Sequence, residues 1–303
     1  MVIEHATAFA ANLGGTQVVT ALISGLLYGG LLAVTAVGLS LIFGVMRLIN
    51  LAHGEFLILG AYLSFQLASW FGLDPILSTL IVAPVLFLVS LPLFRLLLSP
   101  VLTRGPEPAM LTTFALSIIA QSLYILVFSG DSRSLPASYA TSSISIAGVS
   151  VSVAYVISFV IGIILCGALD LVIRFTSFGR DLRAASEDSA TASALGVNIR
   201  RTNALVFGVA AACAGVGGVL VGVTFSFTPT SGTNYLLTGF AVVVLGGLGS
   251  IRGTLLAAVL LGVVESVGSL FLGDGYRDLI GFAVFLIVLS VRPQGLFGRK
   301  VLA

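Results

Sequence analysis

The sequence is poor in charged residues, which limits the classes of protein to which it can belong. Its 303 residues include 14 Lys and Arg and 12 Asp and Glu, so charged side chains make up 9% of the chain. A soluble globular domain is about 25% charged. This difference excludes a soluble enzyme and a disordered chain. The net charge of +2 is also too small and too dispersed for a protein that binds nucleic acid.

The side chains that form nucleotide, metal and catalytic sites are scarce as well. Lys300, the only lysine, lies outside any Walker A pattern, so we expect no ATP site in this chain. His5 and His53 are too few for a histidine metal cluster or a Ser–His–Asp triad. Cys166 and Cys213 lie in apolar runs without metal-ligand spacing, which predicts buried thiols. We therefore expect no enzyme activity and no bound cofactor or metal.

Apolar residues and glycines are plentiful, with 58% hydrophobic residues, 35 Gly and a mean hydropathy of +1.16. This composition predicts a single all-α domain over 1–303, folded as a polytopic transmembrane helix bundle. A helix needs roughly 20 apolar residues to cross a bilayer. Nine apolar runs are candidate spans: 17–44, 55–71, 75–98, 108–128, 148–173, 203–224, 236–250, 253–272 and 277–291.

The span count depends on how two of these runs are interpreted. No basic residue precedes 17–44, and this run is longer than the roughly 7–15 residues of a signal-peptide core, so we expect a true span. The glycine-rich corner at 246–253 divides 236–272 into two short spans or, alternatively, into a re-entrant pair of half-helices. The bundle therefore has about eight or nine spans.

Basic residues predict the orientation, because they concentrate in cytoplasmic loops. With nine spans and the amino terminus outside, 12 of the 14 basic residues lie on the cytoplasmic side. Only Arg133 and Arg277 then lie outside. The carboxy terminus is cytoplasmic in this arrangement.

One cytoplasmic loop, at about 174–202, is long and highly charged. It holds five Arg and three acidic residues, and 180–195 is rich in Ala. Gly196 is suited to end a helix. The pattern predicts one or two short amphipathic helices outside the bilayer. They form either a docking surface for another protein or a solvated linker between two halves of the bundle.

Ionisable groups within spans are costly and often mark a transport pathway. Glu265 lies deep in 253–272, where it either contacts the pathway or is buried against a neighbouring helix. Asn50, His53 and Glu55 cluster at the inner end of the second span, where they either gate the cytoplasmic exit or stabilise the turn. Asp170 and Arg174 have the i, i+4 spacing of a plain ion pair.

A row of small residues repeats every three or four positions in 203–224. It comprises Gly208, Ala212, Gly215, Gly218 and Gly222. Such rows let helices approach closely. The row therefore serves either internal packing or the contact with a second membrane subunit.

Five segments, in order along the chain, match a family pattern: 38–45 (GLSLIFGV), 47–55 (RLINLAHGE), 178–188 with 194–198 (FGRDLRAASED and ALGVN), 245–253 (LGGLGSIRG) and 292–298 (RPQGLFG). Together they resemble the LivH-type inner-membrane permeases of branched-chain amino-acid ABC importers. The resemblance covers about residues 17–299. Leu51 stands where the family usually has Phe.

The resemblance implies a multi-pass permease in a bacterial inner membrane that pairs with a second, LivM-type permease in the lipid bilayer. The resemblance further implies that two cytoplasmic ABC ATPases hydrolyse ATP below this core and that an extracytoplasmic binding protein delivers the amino acid. It also implies that the ATPase-coupling role lies in 180–196. The residues concerned are Arg180, Arg183, Ala184, Ala185, Glu187, Asp188 and Gly196.

Two other functions stay open. The same family includes permeases for urea and short amides, and a pathway lined by small and apolar residues suits those substrates equally. An ion-coupled secondary transporter would need paired carboxylates within the membrane, whereas Glu265 stands alone at mid-depth. That difference favours the ABC permease.

Overall fold

In the computed structural model, which describes residues 15–146, 148–292 and 294–296, the chain is a bundle of α-helices. The first half contains α1 (Gly15–Met46), α2 (His53–Phe71), α3 (Pro75–Leu93), α4 (Ser99–Leu102), α5 (Pro106–Phe128) and α6 (Val153–Phe175). A π-helical turn, Phe94–Leu98, joins α3 to α4. The second half contains α7 (Ser177–Glu187), α8 (Ser189–Ala194), α9 (Ile199–Thr224), α10 (Gly232–Gly246), α11 (Ile251–Leu272) and α12 (Arg277–Val291).

Among the described residues, six helical segments are long and apolar enough to cross a membrane, which confirms the prediction of an all-α membrane bundle. They are Gly15–Met46, Pro75–Leu102, Pro106–Phe128, Val153–Phe175, Ile199–Thr224 and Ile251–Leu272. The predicted start of the fifth run at residue 148 is wrong. Strand β2 (Val149–Ser152) pairs antiparallel with β1 (Ser143–Ile146), and α6 begins only after this hairpin. The β-branched residues of 149–152 suit a strand as well as a helix.

Helices α1 and α9 form the centre of the bundle, since most residues of each are buried. Glycines allow their neighbours to approach closely. Gly29 of α1 lies against the backbone of Ala258 and Val259 in α11, and Gly30 lies against Phe159 in α6. A side chain at either glycine would overlap these atoms, so α1 is held tightly between α6 and α11.

Of the two interpretations given by the sequence for the row of small residues on α9, the structure supports internal packing. Gly208 and Gly215 face side chains of α3, and Gly218 lies against the backbone of α2 at Leu57. Gly222 faces Leu135 of the loop after α5. All four glycines are buried within the chain itself.

Residues 47–52 turn back into the bundle after α1 ends. Arg47 has a φ of 50°, which reverses the chain direction. His53, the first residue of α2, bonds to the carbonyl oxygen of Thr35 at 2.9 Å. Thr35 precedes the end of α1 at Met46 by about 16 Å, at 1.5 Å per residue. Helix α2 therefore begins deep inside the bundle, whereas an inner-surface start was expected.

Helix α10 also begins inside the bundle. It has 15 residues, which span about 22 Å, and follows an irregular segment, 225–231, after the longer α9. Its first residue, Gly232, is buried against Gly54 of α2. Irregular backbone at this depth is tolerated where protein surrounds it or where it lines a cavity.

Candidate translocation site and coupling helices

Glu55 lies at the junction of α2, α5 and α10. Its side chain is buried, and its Oε1 accepts hydrogen bonds from Ser117 Oγ at 3.0 Å and from Gln121 Nε2 at 2.8 Å. The Tyr124 hydroxyl donates to the Glu55 backbone oxygen at 3.0 Å. All three donors lie on α5, so this carboxylate links α2 to α5.

The same carboxylate lies at the amino-terminal end of α10. A Cβ added at Gly232 would be 2.8 Å from Glu55 Oε1, so the carboxylate directly borders the first residue of that helix. Among the residues that the structure describes, no side chain caps this helix end. Free N–H groups and the helix dipole make a helix amino terminus favourable for negative charge. The Glu55 carboxyl group lies at this position, on the neighbouring helix.

His53 and Asn50 make contacts different from those of Glu55. The His53 ring bonds to the Thr35 carbonyl of α1 through Nε2, and its Nδ1 is buried without a partner among the described residues. Asn50 Oδ1 accepts from the backbone N–H of Ala52 at 3.1 Å and stabilises the turn before α2. The three predicted residues are thus close in sequence, but their side chains contact different parts of the bundle.

A polar surface adjoins Glu55 on α5 and α10. Thr233 and Asn234 are exposed near the start of α10, and Gln121 Nε2 lies 3.4 Å from Thr233 Oγ1. Apolar side chains such as Ile118 and Leu237 surround them. Polar groups at this depth usually face a water-filled path or a neighbouring helix. Gln121 was not among the residues predicted from the sequence, although it is the one amide side chain in α5.

A cavity of about 260 Å³ lies beside this surface, between α1, α10 and α12. Its lining combines aromatic and polar groups with one charge of each sign, and includes Tyr28, Asn234, Tyr235, Thr238, Arg277 and Asp278. The Arg277 guanidinium lies 4.6 Å from the centre of the Tyr28 ring and donates to Ser266 Oγ at 3.0 Å. The cavity therefore offers a cation, an anion and apolar walls within a small volume.

Glu265 does not join the Glu55 cluster. It is 2% exposed on α11 and packs against Gly281 of α12, where no side chain would fit. Its Oε2 has no hydrogen-bond partner among the described residues. Of the two interpretations given by the sequence, burial against a neighbouring helix is the one that the structure supports.

The charged loop forms two short helices, as predicted. Thr176 caps α7 by accepting from the Gly179 N–H at 3.1 Å. Gly179, Leu182 and Ala185 are buried against the bundle, whereas Arg180, Arg183 and Glu187 are exposed. Ala184 is half-buried. Ala185 was predicted to belong to the coupling surface, but it lies on the packed face of α7.

Asp188 separates the two helices and caps α8. Its Oδ2 accepts from Thr191 Oγ1 at 2.5 Å and its Oδ1 accepts from the Ala190 N–H at 2.9 Å. These hydrogen bonds, that of Thr191 first, hold the pKa of Asp188 below its ordinary value. Gly196 follows with a φ of 93°, as a helix-ending glycine should. Leu195 beside it is 81% exposed.

The fold and the site together define a class, the polytopic α-helical membrane transport proteins with a structured loop outside the bundle. The chain belongs within it to the family described as branched-chain amino acid transport system / permease component, which matches residues 21–289. This family consists of transport permeases, so the expectation of a non-enzymatic role agrees with the family.

Relatives cover nearly the whole chain. It is 31% identical over 291 residues to the high-affinity branched-chain amino acid transport system permease protein BraD of Pseudomonas aeruginosa, covering 92% of this chain and 95% of the relative. The LivH permease protein of the same system in Salmonella typhimurium is also 31% identical, with 91% and 94% covered. The LivM permease protein of Escherichia coli is 26% identical, with 87% of this chain and 67% of the relative covered.

Proposed function

We propose that this chain is a permease subunit of an ABC importer that moves branched-chain or other hydrophobic amino acids into the cytoplasm. The observation that carries the proposal is the near full-length match to permeases of high-affinity branched-chain amino acid systems. The aromatic and aliphatic walls of the 260 Å³ cavity, with Arg277 and Asp278 at its rim, suit a zwitterion with an apolar side chain.

The same match supports the partners that we propose. A second, LivM-type permease completes the membrane core, two cytoplasmic ABC ATPases supply ATP hydrolysis, and an extracytoplasmic binding protein delivers the substrate. This chain acts as a single membrane domain in the inner membrane and binds no cofactor of its own. Its similarity to a LivM protein supports a core made from two related chains.

The topology that we propose has eight or nine membrane crossings, with the amino terminus outside and the carboxy terminus in the cytoplasm. The distribution of basic residues supports this orientation. Helices α2, α10 and α12 are the additional segments beyond the six long apolar ones. Helices α2 and α10 start within the bundle, so together with 47–52 and 225–231 they form discontinuous segments of the kind found at transporter binding sites.

We infer that the translocation pathway follows the polar surface of α5 and α10. Gln121, Thr233 and Asn234 line it, and Glu55 lies directly behind them. This pathway retains Glu55 among the predicted residues. Asn50 and His53 stabilise the start of α2, and Glu265 holds α11 against α12, so these three act on the pathway only through the fold.

Coupling to ATP hydrolysis takes place at α7 and α8 in this proposal. The exposed face of α7 presents Arg180, Arg183 and Glu187, and Asp188 with Gly196 shapes the adjoining turn. The exposed Leu195 gives this charged surface an apolar contact. Closure of the two ATPases would push on these helices and switch the paired permeases between inward-open and outward-open states.

The decisive experiment is uptake into proteoliposomes that contain this chain with its LivM-type partner, ATPases and binding protein. We expect ATP-dependent uptake of radiolabelled leucine, isoleucine or valine. Uptake of urea or acetamide without uptake of these amino acids would assign the chain to the other branch of the family. Uptake that needs an ion gradient and no ATPase would contradict the ABC assignment altogether.

The coupling assignment needs its own test. Replacing Glu187 or Asp188 with Arg is expected to reduce co-purification of the ATPases and leucine uptake together. Normal assembly combined with normal uptake would remove α7 and α8 from the coupling surface.

A further inference from the structure

A second cavity, of about 340 Å³, lies where α7 meets the ends of α1, α6 and α11. Of its charged residues, the transport mechanism proposed above uses Arg183 alone, on the exposed face of α7. Its polar wall is formed by Asp170 and Arg174 of α6, Arg183 of α7 and Arg252 of α11. Backbone and apolar atoms of α1, including those of Leu41 and Gly44, form the opposite wall.

The arginines of this cavity carry more charge than Asp170 can balance. Asp170 Oδ2 lies 3.0 Å from Arg174 Nε and 3.1 Å from Arg252 Nη2, so one carboxylate is shared by two guanidinium groups. Arg183 donates to the carbonyl oxygen of Ile173 and adds a third positive charge. The Arg174 and Arg252 side chains are 48% and 64% exposed, so donors that Asp170 does not use can reach a ligand.

The surface beside the cavity is apolar. Leu171 and Phe175 of α6 are 57% and 76% exposed, and Leu256 and Leu260 of α11 are 51% and 42% exposed. Arginines that adjoin exposed leucine and phenylalanine side chains match a ligand with an anionic head and an apolar tail. Basic pockets between helix ends at the cytoplasmic surface are suited to the phosphate groups of anionic lipids.

We propose that this cavity binds the phosphate of an anionic phospholipid, with Arg174, Arg183 and Arg252 around the phosphate and the acyl chains along α6 and α11. A free phosphate ion shares the chemistry of the head group, but only the lipid uses the apolar surface. Because Arg183 lies on α7, a bound lipid would also hold that helix against the bundle. The site requires only that these helices span a bilayer, so it stands independently of the transported substrate.

Native mass spectrometry of the full-length chain, stripped of lipid in detergent, tests this site. Phosphatidylglycerol and phosphatidylcholine with the same acyl chains are added in turn. We expect one retained phosphatidylglycerol and a clear preference over phosphatidylcholine. Each Arg→Gln change, at positions 174, 183 or 252, should weaken retention about fivefold, the contribution of one basic residue near an anionic membrane surface. Arg252→Lys keeps the charge and should retain most of the binding.

Arg104→Gln is the matched control. It removes one exposed positive charge from the loop between α4 and α5, away from the cavity. Equal affinity for the two lipids, or equal losses in the control and the cavity variants, would overturn the proposal. Displacement of the lipid by an equal concentration of inorganic phosphate would assign the site to a soluble anion. Loss of lipid when ATPase subunits are added would assign the surface to protein contact.

Discussion

Gly54, the second residue of α2, lies directly against Gly232, the first residue of α10, so the amino-terminal ends of two helices meet inside the bundle. Each end carries the N–H groups of a first helical turn and the positive pole of a helix dipole. Two such ends repel each other unless an anion lies nearby. The Glu55 side chain, from the third residue of α2, borders the first residue of α10, where a negative charge would offset this repulsion.

The contact between the two glycines leaves no room for a larger residue. A Cβ at Gly232 would lie 2.9 Å from the Gly54 carbonyl oxygen as well as 2.8 Å from Glu55 Oε1. We expect Gly232→Ala to destabilise the purified protein by about 1–3 kcal/mol, the usual cost of overpacking. Thermal unfolding in detergent measures this as a lower Tm.

Gly167→Ala is the control for that substitution. Gly167 lies within α6, and nothing would lie within 4 Å of its added Cβ. We expect a slightly higher Tm there, because Ala is favoured over Gly in a helix by about 1 kcal/mol. Equal effects at positions 167 and 232 would show that the two helix ends can separate without cost.

Substitutions at Glu55 distinguish its charge from its hydrogen bonds. Glu55→Gln keeps an acceptor for Ser117 and Gln121 but removes the charge near the two helix ends. Glu55→Ala also removes the acceptor of Ser117 Oγ and the shortest hydrogen bond of Gln121, and a buried donor without its acceptor costs about 1–3 kcal/mol. We expect both variants to lose uptake and the alanine variant to have the lower Tm. Glu107→Gln, an exposed position at the start of α5, should change neither measurement.

If Glu55→Gln retained full uptake, the carboxylate would have only a structural role. If both variants had the same Tm, the bonds to Ser117 and Gln121 would contribute nothing measurable. Uptake and unfolding therefore test two separate parts of the interpretation.

Asp188 combines a helix cap with a surface charge, and two substitutions separate these roles. Asp188→Ser keeps an oxygen that can cap α8, whereas Asp188→Ala does not. We expect the serine variant to keep most ATPase co-purification and uptake, and the alanine variant to lose both. Equal losses in the two variants would mean that the charge itself contacts the ATPase.

The pH dependence of the Asp188 cap follows from the direction in which its pKa is shifted. The pKa of Asp188 is lowered in the folded protein. Its stabilisation of the folded state is therefore present at neutral pH and disappears as the pH falls through that pKa. Titration of Asp188 should therefore cause no difference between ATPase association measured at pH 6 and at pH 8. A loss confined to pH 6 would point to a different titrating residue.

Local signals made part of the fold predictable. The i, i+4 pair of Asp170 and Arg174 is confirmed at 3.0 Å, and Gly196 ends the predicted loop helices. Both features depend on residues within one or two turns. The hairpin at 143–152 was missed, because an apolar β-branched run is compatible with either a strand or a helix.

The depth at which α2 begins could not be predicted from local sequence. Hydropathy identified the apolar run from residue 55. It did not indicate that 47–52 returns along α1, so that His53 reaches Thr35. That course depends on contacts between segments far apart in the chain, such as Glu55 with Gln121 and Gly54 with Gly232. Glu55 was identified because it is ionisable. Its polar neighbours on α5 are of common types that do not indicate a site by themselves.

Asp278 provides the test of the 260 Å³ cavity. It is exposed at the start of α12 and lines the cavity with Arg277. If a substrate ammonium contacts this carboxylate during passage, Asp278→Asn removes one charge-assisted hydrogen bond, and we expect uptake to fall about tenfold. ATP hydrolysis stimulated by the loaded binding protein should persist, because α7 and α8 are unchanged. Asp274→Asn, in the nearby 3₁₀ turn outside the cavity lining, is the matched control, and equal uptake in the two variants would exclude a substrate contact at Asp278.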